Sequence, residues 1–135
     1  MLGHATRITN MGAAYFIVLE RKIEGVDAGM DGKCMSRHME ALDVAAREHG
    51  VRPLSEFFSA DPEQLAEFME GEGLDDVTPP PLQQFTAQDG LATVRALASH
   101  AAARADGVAE DLRECERILS AAAQHGVGWH FEVDF

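Results

Sequence analysis

Apolar and polar positions along the chain divide it into two strand-like ends and a helical middle. Near the N-terminus Tyr15-Phe16-Ile17-Val18-Leu19 is a run of five apolar residues rich in aromatic and β-branched types. Such a run predicts a strand from about Ala14 to Glu20 buried on both faces, the element around which the rest would pack. At the other end Trp129, Phe131, Val133 and Phe135 alternate with His130, Glu132 and Asp134. That period of two predicts a half-buried strand with its polar residues toward solvent.

Helical periodicity fills the interval. Met35, Met39, Leu42, Ala46 and His49 step along one face of a predicted helix from Cys34 to His49, which Gly50 stops. Asp61, Pro62 and Gln64 form a helix start, and the helix they open should reach about Gly71, burying Leu65, Phe68 and Met69. Before it, the connector carrying Phe57-Phe58 must bury at least one ring. Thr86 to Asp89 resembles a capping box and opens a third helix to about Arg104. Its two stripes of small residues, Leu91-Val94-Ala98-Ala101-Ala105 and Ala92-Ala96-Ser99-Ala103, suggest two close neighbours. Val108, Leu112, Cys115, Leu119 and Ala122 mark the inner face of a fourth helix ending at Gly126, with only Asp106-Gly107 before it as the turn of an αα-hairpin.

These elements imply an α+β fold: about four helices packed on a small sheet in which the N-terminal and C-terminal strands are neighbours. Residues 1–10 read as a flexible arm and 11–135 as a single domain, with Met1 and Met11 both candidate starts. The longest apolar run, Ala13 to Leu19, is seven residues, far below the roughly 20 of a membrane-spanning helix. Cys34 and Cys115 match neither a disulfide framework nor a zinc or redox spacing, so a reducing cytoplasm is the expected compartment.

Charge sharpens the picture. The net charge is −12, which argues against nucleic acid as a partner, because phosphate contacts need clustered Lys and Arg. Between Arg52 and Arg95 there is no basic residue, while Glu56, Asp61, Glu63, Glu67, Glu70, Glu72, Asp75, Asp76 and Asp89 supply nine acids. A solvated face and a docking surface for a basic protein are the two readings of such a span.

No complete catalytic, cofactor or metal motif is present. Asp27, Asp31 and Gly32 match an EF-hand loop at three positions, but Gly29 and His38 stand where ligands are required. Gly32-Lys33 ends like a phosphate loop, with Cys34 in place of Ser or Thr. Cys34 and His38 share a helix face, yet a metal would need further ligands such as His130 or Asp134, so no metal and no cofactor are expected. His49 and His125 sit at helix ends, where an imidazole suits exposed carbonyls. His130, Glu132 and Asp134, with His38 nearby, are the residues a small hydrolase or ligand binder would use.

The segments Tyr15 to Glu20, Glu56 to Glu63, Asp89 to Val94, Trp129-His130 and Asp134-Phe135 resemble those of small uncharacterised bacterial proteins. That resemblance implies a bacterial cytosolic protein and carries no activity with it. The leading expectation, which rests on the nine-acid, base-free span, is a non-enzymatic interaction module, immunity-type or adaptor, that presents Glu56 to Asp76 to a basic partner. A homodimer through the small-residue helix is a further expectation.

Overall fold

The structure, a computed structural model, describes residues 14–63, 66–67 and 81–134. Its named elements are β1 (Ala14–Leu19), α1 (Lys33–Arg37), α2 (Met39–Glu48), a 3-10 turn at Leu54–Phe57, α3 (Ala87–Ala98), a second 3-10 turn at Ala101–Arg104, α4 (Val108–His125) and β2 (Trp129–Asp134). It is a mainly helical α+β fold. The strands pair antiparallel, with Ile17 opposite Phe131 and Leu19 opposite Trp129, so the two ends of the described chain share one sheet as their patterns require.

The burial of the two strands reverses the expectation from periodicity. In β1 only Ala14 and Ile17 are buried, whereas Trp129, His130 and Phe131 of β2 are all buried in sequence. The cause is backbone pairing. β2 has β1 along one edge, and along the other Phe85 exchanges hydrogen bonds with Trp129 at 2.7 and 3.0 Å while Ser59 N–H donates to the Phe131 carbonyl at 3.0 Å. A strand with both edges occupied is interior whatever its polar pattern.

Trp129 is the hub. Its indole stacks on Phe57 with ring centroids 4.9 Å apart, meets Phe131 edge-on at 4.9 Å, and donates Nε1–H to the Thr86 carbonyl at 3.0 Å. Phe57 meets Phe85 edge-on, and the Arg52 guanidinium lies 4.8 Å above the Phe85 ring. The indole also lies against Gly90 in the first turn of α3, where a Cβ would overlap the ring and Leu119. Helix propensity disfavours glycine there, and the close approach of Trp129 explains it.

The helices follow their apolar stripes with three corrections. The expected helix over Cys34–His49 breaks at His38 into α1 and α2, and His49 is exposed. α1 is tethered by Met35 N–H to Asp111 Oδ2 at 2.9 Å, and α2 turns away from it to bury Met39, Leu42, Ala45 and Ala46. The third helix stops at Ala98 rather than Arg104, because His100 caps a separate 3-10 turn by accepting Ala102 N–H at Nδ1, 2.9 Å. Neither small stripe is buried throughout: Ala92 and Ser99 of one and Ala98 and Ala101 of the other are exposed, Ala103 is buried beyond the helix, and burial within it runs through Gly90, Leu91, Thr93, Val94 and Leu97. α4 matches its stripe throughout, with Val108, Leu112, Cys115, Leu119 and Ala122 buried. The turn before it needs Gly107, at φ +80°, where a side chain would also strike Cys34.

Two starts behave as their sequences suggest. Thr86 accepts Asp89 N–H at 3.1 Å, and Asp61 accepts Glu63 N–H at 2.8 Å with Pro62 and Glu63 helical. Leu65, Phe68 and Met69 lie outside the described residues. No described helix is long and apolar enough to cross a membrane.

Gly90→Ala tests the packing around the indole. At an unopposed helical position this change stabilises, by about 0.5–1 kcal/mol; here overpacking against Trp129 should lower stability by about 1–3 kcal/mol in urea unfolding. Tyr15 gives a pH test. Burial first, and the nearby Asp43 charge second, raise its phenol above the ordinary 10.0. The folded state thus holds the proton more tightly than the unfolded chain, so this contribution is intact below pH 10 and is lost as pH rises through the folded value. Tyr15→Phe should show a shallower loss of stability above pH 10 than the parent chain.

Candidate functional site

The sequence nominated two regions, and they differ in accessibility. His130 is 1% exposed, contrary to its place on an expected solvent-facing strand side. Its Nε2 lies 2.8 Å from Glu132 Oε2 and its Nδ1 lies 3.2 Å from Gln84 Oε1. A carboxylate only accepts, so Nε2 carries a proton; the Gln84 amide serves Nδ1 in either role, according to which way it is turned. Both ring nitrogens are engaged. Gln84 is in place because its neighbour Phe85 pairs with Trp129, a long-range contact that no local pattern announces.

His38 stands half-buried at the junction of α1 and α2, its backbone N–H bonded to the Met35 carbonyl at 3.2 Å and its carbonyl to Leu42 N–H at 3.0 Å. Asp134 ends β2 opposite Ala14, and its side chain lies outside the described residues. Cys34 is half-buried and sits against Gly107. Among the described residues no group of three or more His, Cys, Asp or Glu side chains is placed to hold a metal ion.

The acidic region is open. Glu56, Asp61, Glu63 and Glu67 are exposed; Glu56 lies 3.8 Å from the Arg52 Nε, and Asp61 serves as the helix cap. Glu70, Glu72, Asp75 and Asp76 lie outside the described residues. Two large apolar side chains accompany these acids, Phe58 at 41% exposure and Leu82 at 42%. Their segments are tied together, since Ser59 Oγ accepts Gln83 N–H at 2.9 Å. Phe58 points outward because it follows the 3-10 turn in extended backbone, at φ −70° and ψ 135°, while Phe57 enters the core. The Phe57-Phe58 pair was legible as one buried ring; the outward partner and Leu82 were not singled out, although a doublet entering an extended segment sends its two side chains to opposite sides.

A third feature escaped the sequence altogether. A groove of about 510 Å³ runs along the second 3-10 turn and the start of α4, lined by His100, Arg104, Asp106, Glu110 and Arg113 among others. His100 spans its rim, with Nε2 3.1 Å from Glu48 Oε1 and its ring edge-on to His49 at 5.3 Å. Two arginines face two carboxylates in this lining, so it carries no strong field of either sign. A smaller hollow of about 280 Å³ lies between Gln84 to Gln88 and Ala122 to Gly128. Neither is lined by His38 or His130.

Compared with protein-family models, with curated proteins and with solved structures, the chain matches none.

The engaged state of His130 gives a direct test. Glu132→Ala removes the acceptor of a buried N–H and should cost about 1–3 kcal/mol in urea unfolding, whereas Glu132→Gln, which retains an oxygen, should cost less.

Proposed function

We propose that the protein is a non-enzymatic interaction module that receives a basic protein partner on the acidic surface around Phe58 and Leu82. One observation carries this reading: two large apolar side chains stand exposed in tied segments, beside exposed Glu56, Glu63 and Glu67, within a stretch that contains no base from Pro53 to Val94. Interfaces combine an apolar centre with a polar rim, and charge complementarity speeds encounter and selects the partner. The apolar pair supplies the centre and the carboxylates the rim.

The partner would be cationic, with an apolar residue among its basic ones, as an immunity-type or adaptor role requires. A hydrolase built on His38 and His130 draws less support, because both His130 ring nitrogens are already engaged and the ring is shielded from solvent. General-base work needs a ring nitrogen within reach of the substrate's proton.

Affinity capture from a bacterial lysate, with bound proteins identified by mass spectrometry, tests the proposal. The parent chain should retain at least one basic protein that is lost both with Glu63→Lys combined with Glu67→Lys and with Phe58→Ser. Retention of an identical set by all three chains, each folded by circular dichroism, would overturn it.

A further inference from the structure

Three sulfur atoms meet where α1 packs on α4. Cys115, on the inward stripe of α4, is fully buried, and its Sγ lies 3.8 Å from Met30 Sδ and 4.0 Å from Met35 Sδ. Met35 is fully buried on α1, while Met30, in the loop before α1, is half-buried. The cluster therefore has an interior wall and one ligand near the surface.

Thiolate and thioether sulfur are soft donors, and together they select Cu(I) over the harder divalent ions. The spacing fits that ion. With metal–sulfur bonds of about 2.3 Å, a trigonal plane of three sulfurs separates each pair by about 4 Å. The two separations from Cys115, which are also those of S–H···S contacts, fall at that distance. Around the sulfurs the core supplies Leu112, Ile118 and Leu119 as neighbours of Cys115 on α4; burial first, then the charges of Asp111 and Glu114, push the free thiol up, so a bound cation must displace its proton.

We propose that Cys115, Met30 and Met35 form a Cu(I) site. Binding breaks the Cys115 S–H bond and forms a Cys115 Sγ–Cu bond, with the proton released to water; each methionine donates a lone pair and the copper stays monovalent throughout. No oxidant or reductant takes part. Met30 is the entry ligand, because it alone of the three reaches toward solvent. The competing account is sulfur packing, since methionine and cysteine fill cores well without any metal. The site is independent of the acidic docking surface.

The test is an anaerobic titration of the purified full-length chain with Cu(I) in the presence of bicinchoninate, a chromophoric Cu(I) chelator. The chain should withhold one equivalent of copper from the chelator and develop thiolate-to-copper absorption in the ultraviolet. Cys34→Ser should leave this unchanged, which separates the site from adventitious binding at the half-buried thiol. Met30→Leu removes one thioether at similar volume and should weaken retention about ten-fold or more. Cys115→Ser should abolish both the retention and the absorption. Failure to withhold copper, loss on Cys34→Ser, or undiminished affinity in both Met30→Leu and Met35→Leu would overturn the proposal and leave the cluster as packing only. The two leucine variants keep the test decisive even where Cys115→Ser fails to fold.

Discussion

The indole of Trp129 is the constraint on which the described structure depends. It touches an element of every kind: it belongs to β2, stacks on Phe57 of the first 3-10 turn, bonds to the carbonyl of the residue that caps α3, and occupies the space a side chain would take at position 90. A buried tryptophan contributes a large apolar area, and its polar tip must find an acceptor. Here that acceptor is the Thr86 carbonyl, so satisfying the N–H also fixes where the helix begins. Glycine at 90 and tryptophan at 129 are one choice made at two places in the chain.

From this follows the interior position of β2. Once Phe85 is paired with Trp129 and Ser59 with Phe131, the strand has no free edge along those residues, and His130 is carried inside with them. An imidazole in that position must be hydrogen-bonded, since a buried polar group without a partner is costly. Glu132 and Gln84 provide the two contacts. The histidine that looked most like a catalytic residue is thus part of what holds the strand in place. The exposed face lies elsewhere, where Phe58 turns outward near carboxylates, while the sulfur cluster between α1 and α4 is buried except for Met30.

Most of the inward face of α4 was legible because a helix buried on one side repeats its apolar residues every three or four positions, as Val108, Leu112, Cys115, Leu119 and Ala122 do; Ile118, also buried, lay outside that stripe. Pairing of the two end strands was legible because few other extended segments existed to pair with either. The break at His38 was not. Neither glycine nor proline marks it; Asp111, 76 residues beyond Met35, holds the start of the short α1 by accepting that residue's first-turn N–H. The end of α3 was misplaced for a similar reason: alanines continue the helical composition past Ala98, yet His100 diverts the backbone into a 3-10 turn and reaches across to Glu48.

What the sequence determined by itself is local. It set the periods that make strands and helices, the caps at Thr86 and Asp61, and the concentration of negative charge between Arg52 and Arg95, since each depends on neighbours within a few residues. Tertiary structure alone decided which strand lies inside, which of two adjacent phenylalanines faces solvent, and which sulfurs meet. Those outcomes turn on edges and surfaces brought together from distant parts of the chain, and a residue pattern carries no record of what will cover it.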